Sequence, residues 1–212
     1  MNRASFSSSD LAVDNLIAGN AHLLLGKQIT LAAGAVYPRG AVLGKRSLGA
    51  ANAGFVGTGN GALTLDATTP LLAGAKAGAY TITCITAASN SGTFRVEDPN
   101  GVVLGDVAVG ATFADQIKFV IADGATDFIV GDKFTVTVAA GTGQYLTSVA
   151  AAVDGSAEPD LVLSETVDAT LAAKPAMAYK RGDFNASALT FGAGHSAATV
   201  AETLRSKGIA IL

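Results

Sequence analysis

Hydrophobic and polar positions alternate most regularly between residues 62 and 138. In Lys133-Phe-Thr-Val-Thr-Val138, the residues Phe134, Val136 and Val138 fall on one side and Lys133, Thr135 and Thr137 on the other, the period of a half-buried strand. Residues 62–65, 79–86, 92–97, 102–104 and 116–122 carry the same strand signal. Turn residues separate them: Asp98-Pro99-Asn100-Gly101, Asp123-Gly124 and Gly131-Asp132. Six or seven short strands in about 85 residues predict an immunoglobulin-like (Ig-like) sandwich. The likeness is architectural, because the Cys pair and Trp of antibody domains are missing.

The flanking segments have a shorter rhythm. Apolar runs at 23–25, 28–31 and 41–43 are divided by Gly-containing turns, and Tyr37-Pro38-Arg39-Gly40 reads as a type I turn. Further on, 146–153 and 161–163 are apolar around Asp154-Gly155, and the Ala-rich 169–179 is broken by Pro175 and reads as strand and loop. Residues 197–207 fit one short helix. Ser196 is its N-cap, Glu202 lies in its body, Arg205 and Lys207 stand at the negative end of the dipole, and Gly208 closes it. Ile209-Ala-Ile-Leu212 reads as a closing strand.

The predicted fold is mainly β: a small mixed, barrel-like unit with one short C-terminal helix, interrupted by the sandwich. The expected division is a flexible N-terminal arm at 1–14, an outer unit of 15–54 plus 140–212, and an inserted domain at 55–139. Leu48-Gly-Ala-Ala-Asn-Ala-Gly54 and Ala139-Ala-Gly-Thr-Gly-Gln144 are expected as small, flexible seams. A disordered loop of this length would cost ~4 kcal/mol to close, whereas a folded insert with adjacent ends avoids that. Strands near Leu63 and Val138 are therefore expected close together.

The arm is Ser-rich, yet Phe6, Leu11, Val13, Leu16 and Ile17 are scattered through it and its root. Either it packs on its own domain, or it adds as a strand to a partner's sheet. No apolar run approaches the ~20 residues needed to cross a bilayer, and no export signal is visible, so neither a membrane nor secretion is expected. A net charge of −3, few aromatics and no Trp argue against nucleic acid.

Candidate chemistry is sparse. Gly57-Thr-Gly59-Asn-Gly-Ala62 has the form of a dinucleotide fingerprint but runs into a strand rather than a helix, so it reads as a turn. His22 and His195 lack partners at metal-like spacing, the carboxylates at Glu97, Asp98, Asp123, Asp127 and Asp132 read as solvated turns, and Cys84 reads as a buried small hydrophobe. No G-x-S-x-G elbow is present. No catalytic, cofactor-binding or metal site is expected, and binding rather than catalysis is the expected mode.

Asp14-Asn15-Leu16-Ile17-Ala18-Gly19, the run from Gly34 to Gly44, Ala151-Ala-Val-Asp-Gly155, Tyr179-Lys-Arg-Gly-Asp-Phe-Asn185 and Leu204-Arg-Ser-Lys-Gly-Ile-Ala-Ile211 together resemble tailed-phage head decoration proteins of the lambda type. The likeness covers most of 14–47 and 144–212, in order around the insert. It implies a homotrimer on the outer surface of the mature capsid, with the major capsid protein as partner and Phe6, Leu11, Val13, Leu16 and Ile17 as apolar capsid anchors. It also implies a virion location, with assembly in the host cytoplasm. The insert departs from the compact lambda-type protein and is expected to project outward, with a host-surface glycan as a further candidate partner. A tail or baseplate protein, or a carbohydrate-binding module, is the alternative.

Overall fold

The structure is a computed structural model and describes residues 15–212. In chain order its strands are β1 (Ile17–Gly19), β2 (Leu25–Leu31), β3 (Val36–Tyr37), β4 (Val42–Lys45), β5 (Leu48–Val56), β6 (Ala62–Leu65), β7 (Gly78–Ala88), β8 (Ser91–Glu97) and β9 (Val103–Ala108). They continue with β10 (Thr112–Ala114), β11 (Lys118–Ala122), β12 (Lys133–Ala140), β13 (Tyr145–Thr147), β14 (Pro159–Leu163), β15 (Val167–Asp168) and β16 (Lys174–Phe184), then helix α1 (Ala197–Ser206) and β17 (Ile209–Ile211).

Most outer strands form one sheet in the order β1-β16-β14-β4-β13-β2, with β17 also paired to β16, and β2 pairs back onto β16, which closes a small barrel; β3 and β15 pair separately. Its interior holds Leu31, Leu43, Tyr145, Leu161, Leu163 and Ala178. A second cluster, under the helix, joins Val200 and Leu204 of α1 to Phe184, Val42, Val162, Ile209 and Leu16. Full burial of each such Val or Leu is worth roughly 1.5–3 kcal/mol, so the helix is held by packing more than by its own propensity. Its ends follow the expectation. Ser196 accepts from the Thr199 N–H in a capping box, and Gly208 (φ +90°) leads into β17.

Residues 48–140 form two further sheets, β5-β12-β7-β8-β9 and β10-β11-β6, around one apolar cluster. Phe134, Val136 and Val138 are buried as their alternation predicts, and Cys84 lies among them with burial raising its thiol pKa. Leu63 and Val138 share this cluster without pairing: Leu63 stands opposite Ile121, and Val138 lies between Ala51 and Gly78. At the turn Asp98-Pro99-Asn100-Gly101, the Gly101 N–H donates to the Asp98 carbonyl (2.9 Å), and the Asp98 carboxylate accepts from Asn100 and Val102.

Three local expectations are revised. Gly26 does not divide 23–31, because β2 runs through it from Leu25, while Ala21–Leu23 forms a 3-10 turn. The turn expected at 37–40 sits one residue later. Ala41 donates to Pro38, and Gly40, at φ +80°, takes the left-handed third position where a type II turn favours glycine. The seams are not flexible linkers. Leu48–Val56 pairs with Lys133–Ala140 along its length, from Leu48↔Ala140 to Val56↔Lys133. Small Gly and Ala residues hid this strand because backbone pairing, rather than side-chain patterning, makes it.

The ladder continues into the barrel through Arg46 N to Gln144 O and Gly141 N to Ser47 O. The loop at 151–155 braces this neck. The Asp154 carbonyl accepts from Ser47 and Leu48, its carboxylate pairs with Arg46 Nε (2.9 Å), and Val153 packs on the apolar cluster of residues 48–140. Neither barrel cluster draws a residue from 49–139. Excising 50–138 and joining Gly49 to Ala139 through an Asn-Gly turn should therefore leave the barrel folded, with far-UV circular dichroism and a cooperative melt within about 5 °C of the barrel transition in the full chain.

Candidate partner-binding surface

The described anchor candidates sit where the chain enters the barrel. Leu16 is 2% exposed and packs with Phe184, Leu189 and Val200, so it serves the chain's own core. That departs from its expected role as a capsid anchor: burial leaves no side-chain surface to offer a partner. Ile17 is half-buried and pairs with Phe184 in β1, which lies at the end of the sheet order. Phe6, Leu11 and Val13 lie outside the described residues.

Backbone hydrogen bonds fix this root. Asn185 N–H donates to the Leu16 carbonyl (3.0 Å), and Asn20 Nδ2 donates to Asp183 Oδ2 (2.7 Å). The C-terminus meets the same strand: Leu212 N–H donates to Phe184 O and Ala186 N–H to Leu212 O, both at 2.8 Å. Leu16 packs near Gly40, at the entrance to β4, whereas the neck leaves after Lys45 at its exit. Five residues of extended chain, about 17 Å, separate the two.

A second constellation tests for catalysis. Ser148 Oγ lies 3.2 Å from His195 Nε2, but Ser148 is fully buried and donates its proton to the Ala157 carbonyl (2.9 Å). His195 Nε2 is also 3.0 Å from that carbonyl, and the tautomer protonated at Nε2 donates to it. In that tautomer the ring does not take the serine proton, and the pair clasps the 192–195 loop to the 157 turn.

The glycines of the fingerprint-like segment have a structural task. Thr58 and Gly59 N–H, with Ile129 N–H, donate to the Asp132 carboxylate at 2.8, 3.0 and 3.1 Å. A methyl at Gly57 would strike Asp132, and one at Gly59 or Gly61 would strike the Phe128 ring. Burial raises the Asp132 pKa, but the three N–H donors outweigh it and hold the carboxyl below its ordinary value. Among the described residues, no group of three or more His, Cys, Asp or Glu could hold a metal, and no helix is long and apolar enough to cross a membrane.

Sequence reading missed a polar network on the barrel wall. Tyr145 Oη donates to Asp160 (2.9 Å) and accepts from Lys27 Nζ (3.2 Å), while Lys207 Nζ reaches Glu158 (2.8 Å) and Asp160 (3.3 Å). Burial and the neighbouring Asp160 push the Tyr145 hydroxyl up to about 12. These residues lie far apart in sequence, and no spacing rule gathers them.

A protein-family model, the bacteriophage lambda head decoration protein D, matches residues 6–209. The chain belongs to that family. No curated protein and no solved structure matches it. As a family member it is a structural protein of the phage head that binds the capsid. The match runs through the barrel, residues 48–140 and the helix alike.

Proposed function

We propose that the chain binds the outside of the mature capsid as a homotrimer and cements it against expansion pressure and heat. The family match over 6–209 carries this reading. Residues 1–14 are the capsid-seeking arm, with Phe6, Leu11 and Val13 as apolar anchors and Ile17 continuing the strand at its root. Leu16 locks that root to the barrel, so tension on the arm is passed to the core cluster under α1. Three arms on one trimer make attachment multivalent, and binding only to the mature lattice stabilises that lattice by linkage. Residues 55–139 are an inserted display domain, Ig-like in having two sheets around one core, which projects outward. The separation of arm root and neck along β4 supports that direction.

The test is deletion of residues 2–13. The shortened chain should keep its melting temperature and its trimeric mass by light scattering, yet fail to co-sediment with mature capsids. Full decoration by the truncated chain would refute the arm's role, and a monomeric mass for the intact chain would refute the trimer.

A further inference from the structure

The barrel is incompletely zipped on one side. β2 pairs with β16 along its whole length, but meets β13 only at Leu31↔Tyr145. Ala32 N–H donates across this seam to the Tyr145 carbonyl (2.8 Å). By strand alternation, Thr30 and Gln28 face the same side as Ala32; the parallel bridge uses the Thr30 C=O for Tyr145 N–H and leaves the Thr30 N–H and both Gln28 groups without a strand partner there. Pro175, which has no N–H to give, stands opposite Thr30 on the other side, as this geometry requires. On the N-terminal side of Leu31 and Tyr145 the two segments diverge around a groove of about 550 Å³.

Lys27 and Lys45 line that groove, with Gln28, Thr30 and Gln144 but no carboxylate. Both lysines are exposed, and neither forms an ion pair among the described residues. Lys180 extends the positive rim next to Lys27, and the carboxylates that border the two groove lysines, Asp160 and Glu158, are already held, Asp160 by Tyr145 and Lys207 and Glu158 by Lys207. Charge is also divided along the chain. Residues 15–47 and 141–212 hold nine Lys and Arg against seven Asp and Glu, while 48–140 hold four against eight. The basic excess thus lies on the unit that carries the groove.

We infer that the split seam between β2 and β13 is a docking groove for an acidic, extended segment of the capsid shell, which adds to the free edge of β2 and sets its carboxylates against Lys27 and Lys45. Backbone pairing supplies the register, and the lysines select for an acidic strand over a neutral or basic one. The inference rests on the capsid-binding reading and gives the barrel a second attachment point, independent of the arm.

The experiment compares co-sedimentation of the intact chain, Lys27→Glu/Lys45→Glu and Thr30→Pro with undecorated mature capsids, at low and high salt. Each chain's fold is checked by thermal melting. At low salt the double variant should bind about tenfold more weakly, with a flatter salt dependence. Thr30→Pro removes an N–H from the free edge while leaving every charge, and it should also bind more weakly. Capsid binding by both variants equal to the intact chain overturns the groove and leaves the capsid reading standing. Failure of the intact chain to sediment overturns both. A double variant that loses self-association while each copy still binds capsid also overturns the inference, because the groove then serves a second copy of this chain.

Discussion

Asp132→Ala should destabilise residues 48–140 by about 3–5 kcal/mol while leaving the barrel transition in place. Three N–H groups, of Thr58, Gly59 and Ile129, would lose their acceptor, and each buried unsatisfied donor costs about 1–3 kcal/mol before water partly compensates. The loss spreads because the Asp132 carbonyl also accepts from Cys84 N–H at 2.8 Å, which ties the loop to β7. Directly beneath, Phe128 packs with Phe94 and Phe134 at centroid distances of 5.0 and 5.7 Å. Separate clusters on the two sides of the neck should give two calorimetric transitions, of which only the one from residues 48–140 moves. A single unshifted melt would contradict this.

The same carboxylate gives an acid sensitivity of defined sign. Its folded pKa lies below the ordinary Asp value of about 3.9, so its stabilisation is fully present above that value and is lost as pH falls through the folded pKa. Asp98, with Lys76 and two backbone N–H donors lowering its pKa, acts in the same direction. The transition from residues 48–140 should therefore fall below about pH 4, and more gently in Asp132→Ala.

Gly44→Ala should be the most damaging single methyl in the barrel. Gly44 lies in β4 between Leu146 and Pro159, where the 155–158 loop crosses so closely that an added Cβ would run into the Ser156 carbonyl. Backbone blocks it, so the relief must come from a shift of the loop. That loop carries the Ala157 carbonyl of the Ser148–His195 clasp and the Glu158 partner of Lys207, and it continues from Asp154, which braces the neck. Loss of about 3 kcal/mol or more is expected, at the upper end for overpacking, with weaker capsid co-sedimentation at temperatures near the melt. Gly19→Ala, with open space around it and no positive φ, is the control and should stay within about 0.5 kcal/mol.

The contrast between these glycines shows where sequence reading stops. Gly101 and Gly208 were placed correctly because a turn and a helix end are local problems, solved by residues within a few positions. Gly57, Gly59 and Gly61 have the sequence signature of turn glycines, yet their chief constraint is contact with Asp132 and Phe128, about seventy positions away. Asp132 has the local signature of a solvated turn and is buried, because its donors come from that distant loop. The 48–54 segment looks like a seam in sequence because its Gly and Ala residues carry no alternation, and only its partner strand makes it a ladder.

The partner-binding surface divides in the same way. Scattered apolar residues near the N-terminus suggest an attachment region, but Leu16 and Ile17 look alike in sequence, and packing alone assigns Leu16 to the core. Lys45 stands out in sequence only as half of the basic pair Lys45-Arg46, and Lys27 not at all; what brings the two lysines to one groove is a strand pairing that stops at Leu31. By itself the sequence determined the β class, the alternating faces, the local turns, the capped helix and, through ordered motifs, the decoration-protein family. Those properties depend on interactions between near neighbours or on the residues' own identities. Tertiary structure decided the closed barrel, the hydrogen-bonded neck, the buried Asp132 and the open edge of β2. Each of these requires segments distant in the chain to meet, and no period or spacing encodes that meeting.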